Sequence, residues 1–96
     1  MKVFGKEYKL VDPATYDVDS KKIGDKLYIY DPNIEIVFRF TKTDDDNWEP
    51  KGFAENGDIY PSYGEELDDE LIQKWVQNAA DGLVHIIDTE NINESF

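Results

Sequence analysis

A chain of 96 residues without a cysteine has length for one hydrophobic core, and it excludes disulfides, thiolate nucleophiles and cysteine-held zinc as supports for that core. Apolar residues at 40% and aromatic residues at 14% exclude a disordered acidic tail, even with charged residues at 33%, because that much apolar bulk drives folding. The net charge of −12 is unevenly spread: residues 1–42 carry eight Lys/Arg against seven Asp/Glu, and residues 43–96 carry two against fifteen. Such a field opposes nucleic acid and anionic lipid and favours a basic protein partner.

No run approaches the ~20 consecutive apolar residues of a membrane span. Residues 1–7 lack the apolar centre of a signal peptide, so a cytoplasmic location is expected. The pattern predicts a single α+β domain over 1–88, with 89–96 as a polar tail. Its core is an antiparallel meander of about five or six strands.

In chain order, residues 3–10 predict a short hairpin with Gly5 at the first central position of a type II′ turn. Residues 12–25 carry Pro13, Asp17, Asp19, Ser20 and Gly24 without periodicity and predict a surface loop with room for a helical turn. Strands are predicted over 26–30 and 34–40, dense in β-branched and aromatic residues, with Ile34, Ile36, Phe38 and Phe40 on one core-facing side. Asp31-Pro32-Asn33 joins them as a turn. A further strand over 48–55 contains Pro50 and Gly52, the mark of an edge or a bulge. Asn56-Gly57 then predicts a type I′ turn into 58–60.

From Leu67 the apolar period changes to that of a helix. Leu67, Leu71, Ile72, Trp75, Val76, Ala79 and Ala80 recur at three-to-four spacing, which predicts one amphipathic helix over about 65–81 packed on the sheet. Asp68 is the expected N-cap, with Leu67 and Ile72 as a hydrophobic staple, and Gly82 the left-handed stop. Trp75→Ala is expected to cost about 3–5 kcal/mol if that ring is fully buried. Residues 83–87 predict a final strand buried on both faces.

Four constellations bear on function. Asp44, Asp45 and Asp46, with Glu55 eleven residues after Asp44, have the outer spacing of a calcium-binding loop. Trp48 and Glu49 break its interior pattern, so a solvated turn is the better reading. Glu65, Glu66, Asp68, Asp69 and Glu70 are five acids in six residues; two or three satisfy a helix N-terminus, and the rest are candidates for partner contact. His85 is the single histidine and alternates with apolar neighbours, the pattern of a structural residue rather than a catalytic base. Tyr28, Tyr30, Trp48, Phe53, Tyr60 and Tyr63 suggest an aromatic face. However, Lys21, Lys22 and Lys26 are too small a basic cluster to make it a nucleic-acid platform.

The sequence therefore predicts a small acidic, non-catalytic binding protein without cofactor or metal. Its sharper form is a stoichiometric inhibitor or immunity-type protein that covers a basic, nucleic-acid-handling partner through Asp44, Asp45, Asp46, Glu65, Glu66, Asp68, Asp69 and Glu70. The other readings are an interaction module whose acidity serves solubility alone and, behind both, a small carboxylate-based hydrolase.

Overall fold

The computed structural model describes residues 1–60 and 66–88; Tyr63, Glu65 and the tail 89–96 lie outside the described residues. The elements are β1 (Lys2–Val3), β2 (Lys6–Glu7), β3 (Lys26–Asp31), β4 (Ile36–Lys42), β5 (Asn47–Ala54), β6 (Ile59–Tyr60), β7 (Leu67–Asp68), α1 (Asp69–Ala80) and β8 (His85–Ile87). Strands β3 to β8 form one antiparallel sheet in the order β6-β5-β4-β3-β8, with β7 added to β5. The α+β architecture matches the prediction. Among the described residues no helix is long and apolar enough to cross a membrane.

Alternation along the strands buries both sides of the sheet. On one side Leu27, Ile29, Phe40, Trp48 and Ile86 meet Ile72 and Val76 of α1, with Val18 from the 12–25 segment beside them. On the other, Tyr28, Tyr30, Val37 and Ile87 meet Val3, flanked by Phe4 and Tyr8 of the N-terminal hairpin. The expectation of a single core-facing side is thus half the picture: Val37 is fully buried opposite Phe38 and Phe40. The free edge of β8 is covered by residues 9–11, through Val11 N–H to Ile86 O and Asp88 N–H to Lys9 O, both 2.9 Å. That contact removes a pairing edge from solvent.

Local chemistry sets the turns, and three differ from expectation. The β1–β2 register pairs Val3 with Lys6, which leaves Phe4 and Gly5 as the central residues, with φ of 51° and 80°. Two positive φ values make the turn type I′, with glycine second. Phe4 accepts the left-handed conformation and sets its ring edge-on to Tyr30, centroids 6.0 Å apart. The β3–β4 turn takes four residues, because Asp31 pairs with Ile36; Ile34 accordingly leaves the strand and is 54% exposed. At Asn56-Gly57 the Gly57 N–H bonds to Ala54 O, and only Gly57 has positive φ. This is a type I turn followed by a left-handed glycine, not a type I′ turn.

Strand β5 is not bulged. It pairs with β4 over Lys42–Trp48 through Ile36–Ala54 without interruption. Its outer side meets β6 at Gly52 and Phe53 and β7 at Asn47 and Trp48, so Pro50 sits between the two short partners and its missing N–H breaks neither pairing.

The helix ends follow the sequence closely, but its start is later than 65. Asp68 Oδ1 accepts from Leu71 N–H at 2.9 Å, and Leu67 and Asp68 before it are strand, not helix. At the other end Leu83 N–H bonds to Asn78 O at 2.9 Å and Gly82 N–H to Ala79 O at 3.1 Å. These are the paired bonds of a Schellman stop, with Gly82 at φ 78° where a side chain would be strained. Leu71, placed in the core by periodicity, is 40% exposed. Trp75 is half-buried, against Phe38 and Phe40 at centroid distances of 5.3 and 5.4 Å.

Candidate functional site

The two acidic runs meet at one end of the sheet. Strand β4 ends at Lys42, residues 44–46 turn the chain, and β5 starts at Asn47. The turn is held from within: Asp44 Oδ1 accepts from Asp46 N–H at 3.2 Å, and Asp44 Oδ2 from Asn47 Nδ2 at 3.1 Å. These two bonds, the Asn47 amide first, hold the Asp44 carboxyl below the usual carboxylate range, since both favour the charged form.

Onto this turn the chain before α1 is pinned by backbone pairing. Asn47 pairs with Asp68 and Trp48 with Leu67, and Asp69 N–H bonds to Asp46 O at 3.1 Å. Thr43 Oγ1 adds a bond to Glu66 Oε1 at 3.1 Å. Residues 44–46 and 66–70, twenty positions apart at their nearest, therefore present one acidic end on a rigid base.

Beneath that end lies a buried polar cluster that the sequence did not suggest. Trp48 is fully buried, and its indole Nε1–H donates to Asp69 Oδ1 at 2.7 Å. Lys42, only 5% exposed, lies with Nζ 3.7 Å from the same oxygen and 5.6 Å from the centre of the Trp48 ring. A buried ammonium without a partner is costly, and Asp69 is what makes Lys42 tolerable there. These residues are separated by 6 and 21 positions, and no local pattern relates a lysine, a tryptophan and an aspartate at such spacing.

The predicted site residues thus divide. Asp44 holds its turn, Asp68 caps the helix, Asp69 is drawn inward to Trp48 and Lys42, and Glu66 bonds Thr43. Asp45, Asp46 and Glu70 have exposed side chains, and Asp46 contributes its backbone carbonyl to the frame. Glu65 lies outside the described residues. The two runs are neighbours in space, and of their described members Asp44, Asp45, Asp46, Glu66, Asp68 and Glu70 are exposed while Asp69 is half-buried.

Other candidates separate in space. Asp44 and Glu55 flank opposite ends of β5, an eight-residue strand spanning roughly 26 Å at ~3.3 Å per residue, so they cannot share a calcium ion. Among the described residues no group of three His, Asp or Glu side chains is placed to hold a metal. His85 sits on β8 opposite Tyr30. Its Val84 and Ile86 neighbours turn into the helix-side core, and no hydrogen bond ties its ring to a carboxylate or hydroxyl among the described residues. The aromatic residues do not form one face: Tyr28 and Tyr30 lie under the hairpin, Trp48 lies under the helix, and Tyr60 stands beside Gly52 on the helix side.

A cleft of about 660 Å³ opens where β8 leaves β3, lined by Tyr16, Lys21, Asp25, Leu27 and Ile86 among others. The Tyr16 hydroxyl is buried without a hydrogen-bond partner among the described residues. Burial first, and the Asp25 charge second, push its ionisation far above the ordinary phenol range, so it is a neutral phenol at any physiological pH. Comparisons of the chain with protein-family models, with curated proteins and with solved structures found no match.

Proposed function

We propose that this is a non-catalytic binding protein whose acidic end covers a basic surface on a partner protein, and in sharper form a stoichiometric inhibitor or immunity-type protein acting on a nucleic-acid-handling partner. The observation that supports it is the convergence of 44–46 and 66–70 on one end through the β5–β7 pairing. Carboxylates scattered around the molecule would compete poorly with an ordered phosphate backbone. Carboxylates fixed together on strand and helix ends concentrate the field and lose little freedom on binding. The mechanism is electrostatic steering of the partner's basic site, followed by competition for its phosphate contacts.

The test is capture from source-cell lysate on immobilised protein, eluted by a salt gradient and read by mass spectrometry. The control bait is Asp45→Asn/Asp46→Asn/Glu70→Gln, which neutralises exposed carboxylates and leaves Asp44, Asp68 and Asp69 in place. A basic nucleic-acid-handling protein that elutes with salt from the wild type and is absent from the control is the expected result. The same proteins on both baits, or none on either, contradict it.

One observation favours a second reading, an interaction module whose acidity serves structure and solubility. Asp44, Glu66, Asp68 and Asp69 each have an internal partner, so part of the acidity is accounted for without any ligand. Under that reading the charge-neutralised bait keeps the wild-type partner.

A further inference from the structure

Segment 12–25 runs from the edge of β8 to the start of β3, and the cleft lies between it and the sheet. Backbone bonds pin the segment at both ends: Val11 N–H to Ile86 O, Gly24 N–H to Lys42 O and Lys42 N–H to Asp25 O, each 2.9 Å. Between them two short 3₁₀ turns, Pro13–Thr15 and Val18–Ser20, are capped by the Asp12 and Asp17 carboxylates at 3.0 and 3.1 Å. Val18 anchors the middle in the helix-side core. Tyr16 and Lys21 flank the second turn, and the Asp25 carboxylate is fixed where its Oδ2 accepts from Lys22 N–H at 2.8 Å. Side chains carried on a segment tied in this way are held ready in place.

Three polar groups meet at that wall of the cleft. The Lys21 ammonium lies over the Tyr16 ring, 4.5 Å from its centre. The Asp25 charge acts on the Tyr16 phenol, second to burial in keeping it neutral. Among the described residues no ion pair joins Lys21 or Asp25 to an opposite charge, and the Tyr16 hydroxyl has no hydrogen-bond partner. A buried hydroxyl left unbonded is a standing cost, and each one in a folded chain calls for a reason.

The rest of the lining narrows the chemistry. Val11, Leu27 and Ile86 supply an apolar floor that belongs to the helix-side core. Lys26 and Asp88 add one charge of each sign and have contacts of their own, so in a chain of net charge −12 this cleft is balanced. A simple anion would meet Asp25 and a simple cation would meet Lys21, whereas a molecule with both charges satisfies both. The volume of about 660 Å³ lies in the range of small-molecule sites.

We infer that this cleft binds a small zwitterion with an apolar side chain, of the free α-amino-acid class, its carboxylate on Lys21 and Tyr16, its ammonium on Asp25, and its side chain over Val11, Leu27 and Ile86. The entering carboxylate draws the flexible Lys21 ammonium off the ring and takes the Tyr16 hydroxyl as a second donor. The site is separate from the acidic end and does not depend on it.

The experiment titrates the full chain with leucine, followed by amide chemical shifts. Leucinamide, which lacks the carboxylate, and 4-methylpentanoate, which lacks the ammonium, are the comparison ligands. Leucine is expected to give saturable shifts at the cleft amides with a Kd on the order of 1 mM or tighter, and each comparison ligand to bind about tenfold more weakly. Tyr16→Phe, measured without ligand, should unfold at the wild-type denaturant midpoint or above it, because it deletes an unbonded hydroxyl, yet bind leucine about tenfold more weakly. Asp25→Asn keeps the acceptor for Lys22 N–H and should lose the preference for leucine over 4-methylpentanoate. Asp45→Asn/Asp46→Asn/Glu70→Gln should bind leucine as wild type does. Absence of saturable cleft shifts up to about 20 mM leucine, or comparison ligands that bind as well as leucine, overturns the inference. A Tyr16→Phe protein that binds leucine as wild type does, or that unfolds at a lower midpoint, overturns the assignment of the hydroxyl, and loss of leucine binding in the triple variant overturns the location.

Discussion

Two sets of carboxylates share the acidic end of this protein, and they are employed differently. Asp44, Asp68 and Asp69 are bonded to their own chain, the first two while exposed: one holds a turn, one caps a helix, and one meets a buried indole and a buried ammonium. Asp45, Asp46 and Glu70, their immediate neighbours, stand in solvent. Adjacent acids in a run are interchangeable by composition and not by position, because each is assigned by the orphan donor or buried cation within its reach. Neutralising the internally bonded set should cost stability, whereas neutralising Asp45, Asp46 and Glu70 should leave stability alone and change what the surface attracts.

The largest effect is expected at Asp69. Replacement by Ala leaves Lys42 buried without its carboxylate and Trp48 Nε1–H without an acceptor, and a loss of about 3 kcal/mol is expected in denaturant unfolding. Lys42→Met in the Asp69→Ala background should recover a large part of it, since a buried charge no longer needs a partner. A double variant no more stable than Asp69→Ala breaks the assignment of Asp69 to Lys42. Next in size is Asp68→Ala, which removes the acceptor for Leu71 N–H and should cost about 1 kcal/mol; thermal unfolding at matched ionic strength checks it.

Smaller still is the pH dependence of Asp44. Its folded-state pKa lies below the unfolded value, so the folded state favours the charged form. Its contribution is full above the unfolded pKa of ~4 and is lost as pH falls through the lower folded value. Asp44 is fully exposed, so the effect is a slight steepening of the acid limb of stability that Asp44→Asn should flatten. An Asp44 carboxyl that titrates at or above the usual range in an NMR titration contradicts the hydrogen-bonded turn.

Much of the frame was legible because it is written locally. Asp68 before an apolar three-to-four repeat, and Gly82 after it, carry their own hydrogen-bonding logic, and both ends of α1 follow. The strands β3, β4 and β5 were legible from β-branched and aromatic density, but their turns were less so. The alternation through Ile34 looks like strand, although closing the turn across Asp31 and Ile36 takes that residue out. Gly5 marked a turn correctly, yet the register placed Phe4 beside it in the left-handed region, a choice the Phe4–Tyr30 contact supports and neighbouring residues do not reveal.

The site was legible as two acidic runs and not as one end. What joins them is a two-residue strand, too short to leave a periodic signal, that pairs with β5 across twenty intervening positions. The Lys42–Trp48–Asp69 cluster was invisible for the same reason: its partners are set by packing, not spacing. Leu71 fitted the helical period but lies at the border of the packed face, 40% exposed.

The most direct test of the acidic end is the association rate of the captured partner with wild type and with Asp45→Asn/Asp46→Asn/Glu70→Gln, measured by stopped flow over a series of salt concentrations. Both proteins should first unfold at the same denaturant midpoint. The account predicts a wild-type rate that falls steeply with salt, and a variant rate about tenfold lower at low salt with a flatter dependence. Equal rates for the two proteins, or a wild-type rate indifferent to salt, would contradict it and leave the outward carboxylates as a means of solubility.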